Sequence, residues 1–209
     1  MLVKDFAAMV HENAVKHGWY DKGGKKLSME DYLALIHSEW SETLEEEREG
    51  RPLVYGLVLD GEDNATPCFT EDWQEITDKH LKPEGCAVEL ADGCLRILDL
   101  FGYGEIHVEP IAGTREPEME DLVGICSAKE LGEMPGEDEV PKLVTWLHAA
   151  TSEVILDGKN EDYDLSFLLV AMSMALAWIQ QRGIDPIKLL LLKHEYNKSR
   201  PYKHGNKKF

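Results

Sequence analysis

The sequence predicts an all-α protein, a helical bundle, and three observations carry that expectation. Apolar residues recur at three- and four-residue spacings through most of the chain, which is the period of a helix rather than of a strand. Residues that start helices stand ahead of those stretches and glycines stand behind them. Only one segment, PLVYGLVL from Pro52, reads as a short strand.

Taken in order, residues 3–18 put Val3, Phe6, Ala7, Val10 and Ala14 on one face and end at Gly18. After the loop DKGGKK, Ser28 precedes Asp31 by three residues with Glu30 in the first turn, the start signal of a helix over 29–49. Gly50 and Pro52 end it, and residues 51–82 show no sustained period and read as an insertion. Pro83 and Glu84 are expected to open the next helix, which runs to Phe101 and closes at Gly102 and Gly104. Residues 105–139 are rich in proline, glycine and acid and read as a linker. Pro141 opens a helix to Leu156, residues 163–182 form the most apolar helix, and a last helix over 185–196 precedes a basic tail. The chain thus divides into a first helical half at 1–104, the linker, and a second helical half at 140–209, a pattern equally compatible with one packed domain.

The two halves carry a degenerate repeat. Setting His37 on His148 and Gly104 on Gly183 superimposes the apolar positions of LALIHSEWSETLEEE on LVTWLHAATSEVILD, and those of ELADGCLRILDLFGYGEI on FLLVAMSMALAWIQQRGI. On that alignment Glu42 meets Glu153, but Glu39 meets Ala150, Glu89 meets Leu168 and Asp92 meets Ala171. The second half keeps the hairpin pattern and lacks the acids. Chance similarity of two helical hairpins accounts for the same match equally well.

Composition narrows the function classes. Of the 209 residues, 43% are hydrophobic and 30% charged, the balance of a folded chain. Forty acids against 22 bases leave a net charge of −18, which repels nucleic-acid backbones and anionic membranes. Phosphate ligands then require a divalent cation held by carboxylates. The four cysteines form no C-x-x-C pair and read as reduced thiols of a cytoplasmic protein. Asp5 and Glu12 interrupt the N-terminus where an export signal needs an apolar run, and the stretch from Leu165 to Ile179 is shorter than the ~20 residues that span a bilayer.

The chemical signal is a pair of acid motifs, Glu39-Trp-Ser-Glu42 and Glu89-Leu-Ala-Asp92. Residues three apart share a helix face, so each motif aims two carboxylates in one direction. On the second helix Glu89, Asp92, Arg96 and Asp99 gather opposite Leu90, Cys94, Ile97, Leu98 and Phe101. On the first, Glu39, Glu42 and Glu46 lie opposite Leu33, Ile36, Trp40 and Leu44. The run Glu45, Glu46, Glu47 and Glu49 reads as a solvated helix end. Glu89 and Asp92 do not, because their helix is apolar and offers one basic neighbour, Arg96. Convergence of four carboxylates demands a cation, and hard oxygen ligands suit Mg²⁺ or Mn²⁺.

On these motifs and their flanks, LIHSEWSETLEEEREGRP and KPEGCAVELADGCLRILDLFGY, and on the closing KHEYNKSRPYKHGNKK, the chain resembles the all-α nucleoside triphosphate pyrophosphatase superfamily. Within it the likeness is to the MazG-like and dimeric dUTPase-like proteins. The resemblance implies Mg²⁺ held by Glu39, Glu42, Glu89 and Asp92, and hydrolysis of a nucleoside triphosphate to the monophosphate and pyrophosphate. It also implies a homodimer or higher homo-oligomer. Glu42 is assigned as the carboxylate nearest the attacking water. The long spacing between the motifs and the acid-free second half depart from the family pattern and put the assembly in question.

Triphosphates need cationic side chains as well as metal. Lys193 to Phe209 reverses the charge of the protein, and Asn197, Arg200 and Lys203 are the candidates to fold over the phosphates. Arg96 either holds a phosphate or pairs with Asp92 and Asp99. His17, Trp19 and Tyr20, followed by Lys22, Lys25 and Lys26, line a base pocket or end a helix, while His37 and His148 serve packing. A nucleotide-sensing or protein-interaction module of the same fold, without catalysis, is the alternative. A diphosphate-linked substrate such as a phosphoribosyl nucleotide is a third reading.

Overall fold

The computed structural model describes residues 1–20, 27–58, 68–104, 115–125, 135–136, 139–156 and 163–202. Among them eight helices dominate: α1 (Val3–Lys16), α2 (Met29–Arg48), α3 (Trp73–Asp78), α4 (Cys86–Tyr103), α5 (Met119–Ile125), α6 (Val140–Leu156), α7 (Ser166–Gln181) and α8 (Pro186–Ser199). Three short strands, β1 (Tyr55–Val58), β2 (Cys68–Thr70) and β3 (Pro83–Glu84), form one antiparallel sheet in the order β2-β1-β3. The protein is an all-α bundle with a small sheet inserted between α2 and α4.

The bundle is built around α4. Its apolar side, including Leu90, Cys94, Ile97, Leu98 and Phe101, is fully buried, and α1, α2, α7 and α8 all pack against it. α6 lies on α2 and α7, and α5 lies on α7. Local signals place the helix starts. Ser28 Oγ accepts from the Asp31 amide at 3.2 Å while the Asp31 carboxylate accepts from the Ser28 amide at 2.9 Å, the reciprocal cap expected of that sequence. Asp185 caps α8 through the amides of Ile187 and Lys188, with Pro186 in the first turn.

Two glycines set the helix spacing. A Cβ at Gly93 would fall inside the Trp40 ring, so α2 comes close to α4 only because the side chain is missing. Gly102 does the same for α1, where a Cβ would meet the carbonyl oxygen of Ala7. Trp40, wholly buried, then donates from Nε1 to Thr151 Oγ1 of α6 at 3.0 Å.

Two expectations are corrected. Pro83 and Glu84 form β3, paired with Gly56 and Tyr55 of β1, and α4 begins at Cys86. A proline-led acidic pair is locally competent to start a helix, but the β1 edge offers it backbone partners first. The stretch read as linker contains α5, whose Met119 and Leu122 are buried, and Val3 donates to the Pro117 carbonyl at 3.0 Å. Short length hides its helical spacing among the acids. The segment PLVYGLVL does supply β1, and the insertion adds α3 and β2 to it.

Positions that the repeat alignment equates touch one another. His37 on α2 and His148 on α6 stack with Nδ1 atoms 2.7 Å apart, and Trp40 meets Thr151, the same 111 positions away. Cys94 on α4 lies 4.0 Å from the Met172 carbonyl, beside its counterpart Ser173 on α7. Self-contact of equivalent residues is what a local two-fold axis produces. Cys86 and Cys94 are free and buried, and burial pushes the Cys86 thiol up to about 12. Cys126 lies outside the described residues. Among the described residues no single helix is long and apolar enough to cross a membrane.

Candidate functional site

The polar face of α4 opens onto a cavity of about 350 Å³ bounded by α1, α2, α4 and α8. Helical spacing places its chemistry. Glu89, Asp92, Arg96 and Asp99 recur every three or four residues on α4, and α2 adds Ser38, Glu39 and Glu42. α8 contributes Lys193, His194 and Asn197, and Arg200 follows at its C-cap.

Three of the four acids named by the motifs converge. Oxygens of Glu39, Glu89 and Asp92 lie within 4.8 Å of one another, with Glu39 and Glu89 only 7% and 4% exposed. Glu42 stands apart from this trio: it is exposed at the rim of the cavity, where Ser38 Oγ donates to it at 3.1 Å. Glu46 turns away altogether, joining Arg51 and the Tyr55 hydroxyl of the insertion.

Two cations balance the trio. Arg96 Nε donates to Glu39 Oε1 at 2.9 Å, reaching across to α2 rather than pairing with the acids of its own helix. Lys193 Nζ lies 2.8 Å from Asp92 Oδ2 and donates to the Pro83 carbonyl at 3.0 Å. Burial works to lower the Lys193 pKa, but Asp92 and Glu89 outweigh it and hold the ammonium charged. Sequence reading gave Lys193 no role beyond a basic tail. Its signal was the stripe Pro186, Leu189, Leu190, Lys193, which puts a lysine on the buried face of α8.

The balance is incomplete at Glu89. Burial first, then Asp92, Glu39 and Glu84, push its carboxyl up to about 9 against the opposing pull of Lys193. Burial likewise raises Glu39, with Arg96 opposing and Asp92 and Glu42 reinforcing. A carboxylate group pushed this way is stabilised in its charged form by one more positive charge. Three hard oxygen donors from two helices, at ligand-sharing separation, fit a divalent cation of the Mg²⁺ or Mn²⁺ type.

The remaining candidates are placed as follows. Asn197 and Arg200 line the cavity, and Lys203 lies outside the described residues. His17 and Trp19 line it too, whereas Lys22, Lys25 and Lys26 lie outside the described residues. Tyr20 donates to Asp99 Oδ2 at 2.9 Å and its hydroxyl also meets that of Tyr32, while His11 Nδ1 lies 2.9 Å from Asp99 Oδ1. Lys82, from the insertion, also lines the cavity and pairs with Glu84. The insertion therefore reaches the site through Lys82, and the adjoining β3 through the Pro83 carbonyl that accepts from Lys193. No family model matches the chain, and neither a curated protein nor a solved structure matches it.

Proposed function

We propose that the protein is a cytoplasmic, Mg²⁺-dependent nucleoside triphosphate pyrophosphohydrolase that releases pyrophosphate and a nucleoside monophosphate. The observation that carries the reading is the trio of buried Glu39 and Glu89 with half-buried Asp92, opening on a cavity that also presents Arg96, Lys193, Asn197 and Arg200. Acid clusters are common, but acids, cations and a nucleotide-sized cavity together supply what a triphosphate needs.

Glu39, Glu89 and Asp92 would hold the ion, with Mn²⁺ able to replace Mg²⁺. The ion supplies charge neutralisation of phosphate oxygens and orientation of water. Arg96 and Lys193 keep the acids in place and, with Arg200, meet the remaining phosphate charge. Water attacks the α-phosphorus, the bond to the bridging oxygen breaks, and pyrophosphate leaves with that oxygen. Glu42, exposed to solvent and outside the trio, would take the proton of the attacking water.

A nucleotide sensor is the second reading, and a specific observation favours it. Lys193 and Arg96 already engage Asp92 and Glu39, so two of the three acids have a cation from the chain itself. A screen of common ribo- and deoxyribonucleoside triphosphates with Mg²⁺, scored by pyrophosphate, separates the two. Turnover that falls at least about 100-fold in Glu39→Ala and Asp92→Ala, with helical content kept, is expected. Binding without pyrophosphate release from any nucleotide selects the sensor.

A further inference from the structure

Beyond α8 the chain turns back beside the cavity and meets the end of α1. Pro201 keeps the residue before it out of the helical region, and Arg200 is extended at φ −71° and ψ 148°, so α8 stops there. Two residues after Arg200, the ring of Tyr202 lies directly on Gly18: a Cβ at Gly18 would fall inside that ring. Gly18 is buried, whereas Tyr202 is 52% exposed.

The seat under the ring is a fixed one. Gly18 has φ +81° and ends α1 with two bonds, its own amide to the Val15 carbonyl at 3.0 Å and the Trp19 amide to the Ala14 carbonyl at 3.2 Å. Next to it, Tyr20 donates to Asp99 Oδ2 at 2.9 Å and stacks on Tyr103 with ring centres 5.3 Å apart. His11 Nδ1 lies 2.9 Å from Asp99 Oδ1, so both oxygens of Asp99 are engaged in tying α1 and residues 17–20 to α4. His17, Trp19 and Arg200 all line the cavity, on the two segments that Tyr202 and Gly18 bring together. Ordering a long cationic side chain on a ligand costs affinity, and holding its backbone beforehand removes part of that cost.

We propose that Tyr202 is a positioning residue of the site: seated on Gly18, it fixes the backbone at Arg200 and so presents the guanidinium to phosphate oxygens. The proposal rests on the phosphate-binding part of the pyrophosphatase reading and adds a residue that acts through Arg200 rather than on the ligand. The seat is filled by an aromatic ring, and a phenylalanine fills it equally.

The test is a double-mutant cycle read by calorimetric binding of inorganic pyrophosphate with Mg²⁺. Arg200→Ala is expected to weaken binding about tenfold. Tyr202→Ala is expected to weaken it about fivefold alone, and by less than about twofold in the Arg200→Ala background, where the contact it positions is already gone. Tyr202→Phe is expected to stay within about twofold of the wild type. In the ligand-free protein, hydrogen exchange at the Arg200 amide, which donates to the Asn197 carbonyl at 3.4 Å, is expected to quicken at least about threefold in Tyr202→Ala. Binding of Mn²⁺ alone is expected to stay within about twofold in that variant, because the carboxylates are untouched. Unaltered exchange, unaltered pyrophosphate affinity, an equal loss in both backgrounds, or no pyrophosphate binding by the wild type overturns the proposal. A loss of Mn²⁺ affinity as large as that of pyrophosphate overturns it too, since Tyr202 would then support the fold at large. A cycle that holds without pyrophosphate release from any nucleotide defeats only the hydrolase reading. Nucleotide hydrolysis with full pyrophosphate affinity in Tyr202→Ala defeats only the positioning role.

Discussion

Lys193 enters the site from a helix whose sequence is four leucines deep, and its ammonium is 2% exposed between Asp92, the Pro83 carbonyl and Glu89. Removing one partner of a buried ion pair leaves the other uncompensated, at a cost of about 3 kcal/mol. Lys193→Met is therefore expected to lose about that much stability in urea denaturation with EDTA present. Added Mg²⁺ should recover part of the loss, because a second cation then answers Asp92 and Glu89. A variant as stable as wild type in EDTA would show the pair to be energetically neutral. His37 and His148 make a different residue-scale prediction. Their Nδ1 contact at 2.7 Å needs one ring to donate and the other to accept, and burial first, with His148 adding to it for His37, holds both below 6.5. With the folded value depressed, the unfolded chain takes up protons first as pH falls below 6.5, so stability present above that pH is lost on the acid side. His148→Gln should flatten that acid arm in thermal melts between pH 7.5 and 5, and an unchanged slope would count against the pair.

At the scale of elements, α4 decides the site because it carries an apolar side, a carboxylate face and two gaps. The gap at Gly93 lets Trp40 of α2 lie against it, and that approach brings Glu39 to Asp92 one residue away. Gly93→Ala forces Trp40 outward and is expected to cost about 2 kcal/mol through overpacking. It should also weaken Mn²⁺ binding, because the carboxylates separate with the helices. Lost stability with unaltered ion affinity would show that Glu39 does not depend on this spacing. The face of α4 was legible in the sequence, since Glu89, Asp92, Arg96 and Asp99 repeat at helical spacing and are all found on the cavity wall. The partner of Arg96 was not: periodicity orders residues around one axis and says nothing about Glu39 on a neighbouring one. The strand at Pro83–Glu84 escaped for the same reason, its partner being β1, far away in sequence.

For the whole molecule, the candidate site draws together α1, α2, α4 and α8 with Lys82 of the insertion. The hairpin of α6 and α7, which keeps Glu153 but has no counterpart of Glu39, Glu89 or Asp92, packs against the acidic one of α2 and α4 through contacts between equivalent positions, as a local two-fold arrangement would. Specific turnover is accordingly expected to be constant per chain as the protein is diluted from micromolar to nanomolar. A steep fall with dilution would mean that another copy completes the site. The net charge of −18 also acts at this scale, repelling free polyphosphates, so the proposed function predicts nucleotide binding that depends strongly on Mg²⁺.

The residues alone determined the helical class, most helix boundaries, the strand at Tyr55–Val58 and the two acid motifs, because period, caps and local charge are properties of short stretches. Tertiary structure decided which three acids converge and which one stays in solvent, and gave Lys193, Arg96 and the insertion their places around them. It also buried the Nε2 of His194 and the Oδ1 of Asn197 without a hydrogen-bond partner among the described residues. Those outcomes depend on how far apart helices pack and what lies opposite each face, quantities fixed by contacts between segments distant in the chain.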